Sequence, residues 1–131
     1  MKIIEGGVCA AKGFSANGVH CGIRKNKTKK DISLIFSSVP ATAAAVYTTN
    51  LVKGAPLIVT KEHLKNGKAQ AIICNSGNAN TCNENGVEIA DKTAELVAQS
   101  LNISKNDVVV ASTGVIGLPL DIAPFKKVFP N

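Results

Sequence analysis

A chain of 131 residues, 45% of them hydrophobic, is one domain's worth of polypeptide with enough apolar surface to form a core, which excludes a disordered tail. No segment approaches the uninterrupted apolar length of a membrane span, and Met1-Lys2-Ile3-Ile4-Glu5 runs into glycines rather than a signal-peptide core, so a cytoplasmic protein with no membrane partner is expected. The net charge of +6 is concentrated in Arg24-Lys25-Asn26-Lys27-Thr28-Lys29-Lys30, which reads as a solvated loop without the aromatic interleaving of single-strand binders, so no nucleic-acid partner is expected.

In chain order, Gly6-Gly7, Gly13, Gly18 and Gly22 mark turns or short strands. Residues 31–38 alternate Ile32, Leu34 and Phe36 with smaller or polar residues, Ile35 excepted, which predicts a half-buried strand that Val39-Pro40 ends. Val46-Tyr47-Thr48-Thr49 predicts another strand after an irregular alanine-rich approach. Pro56 suits the first turn of a short helix ending near Leu64, although Leu57-Ile58-Val59-Thr60 has strand propensity and leaves extended structure open. His63, with Glu62 and Lys65 close by, is expected on the surface of that helix end.

Ala71-Ile72-Ile73-Cys74 predicts a short buried strand that opens into Asn75-Ser76-Gly77-Asn78-Ala79-Asn80, a segment suited to a tightly self-bonded turn. Residues 86–101 place Val87, Ile89, Ala90, Ala94, Leu96, Val97, Ala98 and Leu101 near helical spacing, with Glu88, Asp91, Lys92, Glu95 and Gln99 on the other face. Asn83 or Asn85 is the candidate cap. Val108-Val109-Val110 then predicts a second buried strand, which completes a strand, helix, strand unit over residues 69–112 with room for a parallel crossover. Gly-x-Gly-x-x-Gly follows neither strand, so no dinucleotide fingerprint is present.

The second strand delivers Ser112, Thr113 and Gly114 to its C-terminal edge, where α/β sheets usually bind ligands. Backbone N–H groups in a glycine turn, beside a hydroxyl donor, suit the oxyanion of an acyl-transfer intermediate. The same residues also suit a plain turn. Cys9, Cys21, Cys74 and Cys82 lack any Cys-x-x-Cys pair and are accompanied only by His20 and His63, so no metal site is expected and the thiols read as buried or incidental. His20 and Cys21 are sequence neighbours, which does not by itself bring imidazole to thiol.

Taken together, Gly13-Phe14, Gly18-Val19, Gly22-Ile23, Val39-Pro40-Ala41-Thr42-Ala43-Ala44, Val46-Tyr47-Thr48-Thr49-Asn50, Ala55-Pro56, Glu62-His63-Leu64, the 75–80 segment and Ala111-Ser112-Thr113-Gly114-Val115-Ile116-Gly117 resemble the N-terminal part of the ornithine acetyltransferases, the bifunctional glutamate N-acetyltransferases of arginine biosynthesis. The resemblance implies transfer of acetyl from N-acetylornithine to glutamate, with acetyl-CoA a further donor in some members and no cofactor. It implies a self-cleaving precursor whose β chain begins with the nucleophilic threonine, and it implies that Thr113 and Gly114 form the oxyanion hole. The implied fold is an αββα sandwich completed by a later α-chain region and the β chain, assembled as an α2β2 heterotetramer. The residues on their own predict mixed α/β.

The sequence departs from the family pattern by stopping at Asn131, before the family's substrate-binding threonine and lysine and its cleavage motif. Residues 1–131 are therefore expected to form a single partial domain, inactive alone, with an apolar sheet face or edge left open. Thr48, Thr49 and Thr113 are internal and lack the free α-amine that serves an N-terminal nucleophile as base. A related self-processing aminopeptidase or acetyltransferase paralogue is the second reading, and a non-enzymatic module binding through the basic loop is the third.

Overall fold

Four strands hydrogen-bond in the order β1-β2-β3-β4, where β1 is Phe14–Val19, β2 Ile32–Thr42, β3 Lys68–Asn78 and β4 Val108–Val115. The computed structural model describes residues 2–130. The first two ladders are antiparallel, and β3 pairs with β4 in parallel, with Ala71 opposite Val108 and Asn75 opposite Ser112. A parallel neighbour needs a crossover, and helix α2, Gly86–Leu101, provides it. The mixed α/β class and the 69–112 unit agree with the sequence reading; β3 starts one residue earlier and β4 runs three residues further.

Strand periodicity decides what is covered. Ala71, Ile73, Val108 and Val110 point to one face and are buried beneath α2, whose Ala90, Ala94 and Val97 are 1% exposed or less. Each large apolar side chain sealed in this layer contributes about 1.5–3 kcal/mol relative to exposure. The opposite face carries Ile72, which is 40% exposed. Helix α3, Ala123–Val128, adds Phe125 and the following Phe129 to the core; it was not anticipated, although Pro124 in its first turn is a start signal.

Helix α1, Ala55–His63, follows Pro56 as the first of the two sequence alternatives has it, and a short 3-10 turn then ends at Asn66. It lies against β4, the last strand of the sheet. The Thr60 hydroxyl donates to the Val110 carbonyl and accepts from the Val110 N–H, both at 3.0 Å, while His63 Nδ1 lies 2.8 Å from the Val108 carbonyl. The Val108 carbonyl and both outward backbone groups of Val110 are thereby satisfied by helix side chains. His63 is accordingly 5% exposed, which corrects the surface placement expected from its charged neighbours: Glu62 and Lys65 face solvent, while the ring turns inward to β4.

Three further expectations are corrected. β2 does not stop at Val39-Pro40 but continues to Thr42, because its register against β3 shifts between Phe36 and Ala41 and proline is tolerated where the ladder is interrupted. Val46-Tyr47-Thr48-Thr49 is not a strand; it runs without regular structure, and Val46 is 99% exposed. Residues 75–78 are the end of β3 rather than a turn after it, held in the ladder by the facing residues 112–115.

Candidate functional site

The C-terminal ends of the parallel pair β3 and β4 build the site. Ser76 stands opposite Thr113 and Gly77 opposite Gly114. Both glycines have positive φ, +110° at Gly77 and +134° at Gly114, where L side chains are strained. A Cβ on Gly114 would fall 2.4 Å from the Gly77 carbonyl carbon and 2.5 Å from the Asn78 nitrogen, so no side chain fits there. Two strands meeting backbone to backbone leave Thr113 exposed on the wall of an open cleft of about 840 Å³. Gly114, Ser76 and Gly77 share that wall, and residues 118–121 close the far side.

The basic loop forms the third wall through Arg24, Lys25 and Asn26. A carboxylate holds it in place. Asp31, 2% exposed, accepts the backbone N–H groups of Cys21 at 2.7 Å, Gly22 at 3.1 Å and Arg24 at 2.9 Å, and its own carbonyl accepts the Ser76 N–H at 2.8 Å. Burial alone would raise its pKa, but the N–H groups of Arg24, Cys21 and Gly22 and the Cys21 thiol outweigh that and hold it down to about 2. Arg24 therefore sits over Gly77, with Nη1 3.4 Å from Ser76 Oγ. Arg24 and Lys25 against Asp121 give the cleft a positive balance.

Beneath the cleft runs a chain of amides. Asn75 accepts from Ser112 Oγ at 2.6 Å and donates Nδ2 to the Asn78 carbonyl at 2.9 Å. Asn78 donates to the Leu118 and Pro119 carbonyls and accepts the Asn80 N–H, and Asn80 donates to the Gly86 carbonyl. These asparagines are buried, and apart from the Asn75–Asn78 and Asn78–Asn80 bonds they hold residues outside the segment rather than closing the self-bonded turn expected from the sequence. Asn85 occupies the N-cap position of α2 without a side-chain cap, and Asn83 bonds Asn80 instead.

The thiols take no part in the cleft. Burial pushes Cys21 up to about 11 and raises Cys74 as well, so both stay protonated at neutral pH. His20 Nδ1 faces the Lys29 carbonyl at 3.0 Å and Asp31 at 3.2 Å.

The ArgJ family model matches residues 15–131. This chain belongs to the ArgJ family. Arginine biosynthesis bifunctional protein ArgJ of Caldanaerobacter subterraneus subsp. tengcongensis is 51% identical over 129 residues, covering 98% of this chain and 31% of that relative. The ArgJ protein of Gloeobacter violaceus is 52% identical over 125 residues, covering 94% and 30%. The chain thus spans less than a third of the length of these curated ArgJ relatives. Among solved structures, the crystal structure of ArgJ from Bacillus halodurans superposes with a TM-score of 0.89 at 43% identity, covering 95% of this chain and 65% of that one. Ornithine acetyltransferase of Mycobacterium tuberculosis, solved in complex with ornithine, gives 0.85 at 39% identity, covering 91% and 65%.

The structure brings the two sequence-predicted site residues together: Thr113 and Gly114 line one cleft, beside the 75–80 segment. Two structural features of the cleft escaped the sequence. Asp31 reads as an ordinary residue before a strand, and its grip on three N–H groups depends on how residues 21–24 fold back over it. The pairing of Asn75 with Ser112, 37 residues apart, follows from the parallel register.

Proposed function

We propose that this chain supplies the oxyanion-stabilising wall of an ornithine acetyltransferase that moves acetyl from N-acetylornithine to glutamate. The acetyl group passes through an ester on the threonine that begins the β chain, which self-cleavage of a precursor exposes, and the α and β chains assemble as α2β2 around an αββα sandwich. Acetyl-CoA serves as a further donor substrate where the complete enzyme accepts it, and no cofactor is required. Attack on the acetyl carbonyl puts negative charge on its oxygen. The Thr113 hydroxyl and the Gly114 N–H donate to that oxygen and to no comparable charge in the ground state, so they lower the barrier more than they tighten binding.

The observation that carries this reading is the exposed Thr113-Gly114 pair on a cleft wall whose backbone approach admits only glycine. The positive balance of Arg24 and Lys25 suits substrates that carry carboxylates. In the full-length protein, Thr113→Ala is expected to lower kcat about a hundredfold or more with KM for N-acetylornithine nearly unchanged. Steady-state kinetics of acetyl transfer to glutamate checks this. A folded variant with wild-type kcat and reduced thermal stability assigns Thr113 to its turn alone.

A further inference from the structure

We propose that Asn75 and Ser112 are positioning residues for the Thr113-Gly114 donors, an inference that rests on the acyl-transfer reading above. In the parallel ladder the two residues face one another as the last pair with side chains on the helix-covered side, between the apolar layer of Ile73 and Val110 and the glycine pair Gly77 and Gly114. The layer below is dry, so every polar atom of the pair has to find a partner in the protein. The Asn75 amide finds two. Its Nδ2 donates to the Asn78 carbonyl at 2.9 Å, which turns Oδ1 toward Ser112, and the Ser112 hydroxyl then donates at 2.6 Å.

The consequence is geometric. One buried side chain, 2% exposed, grips the residue before Thr113 on β4 and the residue after Gly77 on β3. Between those two grips lies the contact at which a Gly114 Cβ would stand 2.4 Å from Gly77. The Asn78 side chain extends the hold to the Leu118 and Pro119 carbonyls on the opposite wall. The donors are thus set by a continuous hydrogen-bonded path rather than by loop stiffness, and a donor aimed at a developing charge is effective only while its aim is held. Ser112 and Asn75 touch no substrate in this scheme; they act through Thr113 and Gly114.

The test is a double-mutant cycle in the full-length protein, read as kcat and KM for acetyl transfer from N-acetylornithine to glutamate. Ser112→Ala, which removes one atom, is expected to lower kcat about tenfold with KM within about twofold, the pattern of an interaction felt in the transition state. Ser112→Thr keeps the hydroxyl and recovers most of that loss. In the Thr113→Ala background, Ser112→Ala costs distinctly less than in the wild type, because one of the two donors it positions is gone and only the Gly114 N–H remains. Asn75→Asp, which can accept from Ser112 but not donate to Asn78, falls with Ser112→Ala and provides a second variant if the first folds poorly. A Ser112→Ala enzyme with wild-type kcat, or one equally impaired in both backgrounds, overturns the positioning role while leaving the oxyanion reading intact. Wild-type kcat in Thr113→Ala itself overturns both.

Discussion

Asp31 is charged, buried and surrounded by backbone, and that combination makes its titration a stability term. Its folded pKa of about 2 lies below its ordinary value of 3.8. The folded state therefore gains from the ionised form at every pH above about 4, and the gain disappears as pH falls from about 4 to about 2. At neutral pH the shift corresponds to about 2 kcal/mol. Acid unfolding followed by circular dichroism is expected to show this loss in that interval. Asp31→Asn removes the acid-sensitive part and destabilises the neutral protein, since an amide presents an N–H to donors that need an acceptor. The Cys21 thiol, pushed up to about 11 beside this carboxylate, is expected to react slowly with alkylating agents at neutral pH compared with the exposed Cys9 and Cys82.

At the level of elements, the arrangement of α1 along β4 depends on side chains that complete a strand edge. Thr60 serves both backbone groups of Val110. Thr60→Val keeps the size and shape of the side chain but leaves a buried N–H and a buried carbonyl without partners, at a cost of about 1–3 kcal/mol. Thermal denaturation is expected to show a loss of several degrees for Thr60→Val and little for Thr60→Ser. A melting temperature unchanged by the valine would mean that water reaches this edge. Pro56 marked the helix as one of two readings of this segment, whereas its inward face was not legible: Thr60 and His63 are polar, and only the neighbouring strand makes them core residues.

Across the whole molecule, one sheet face is sealed by helices and the other is not. Ile72 on the open face, Val115 on the cleft wall, Ile116 after it, and Leu51 on the irregular segment are all 40% exposed or more. Surfaces of this kind mark contact with further polypeptide or a liability to associate. The chain spans 31% of its Caldanaerobacter relative, and its threonines at 48, 49 and 113 are all internal. The isolated 131-residue chain is accordingly expected to show no acetyl transfer from N-acetylornithine to glutamate and to self-associate in sedimentation velocity. Turnover by the purified chain would remove the need for a second chain's nucleophile, and a stable monomer would show that the open face is tolerated in water.

Periodicity by itself determined the long α2 helix, the faces of β2 and the two strands flanking the crossover, because these depend on side-chain spacing that each segment carries alone. A further local signal, a β-branched run ending in hydroxyls and glycines, marked Ser112, Thr113 and Gly114 as a site or a plain turn, and the family resemblance singled out Thr113 and Gly114. The tertiary structure alone decided where β2 ends, that Val46 to Thr49 stays irregular, that His63 is buried, and that Asn75 meets Ser112. The end of β2, the burial of His63 and the Asn75–Ser112 pair each turn on a partner distant in sequence, and Val46 to Thr49 stays irregular where no strand among the described residues pairs with it. Strand limits and polar burial are fixed by whichever backbone or hydroxyl the register brings opposite, and that register exists only once the sheet has formed.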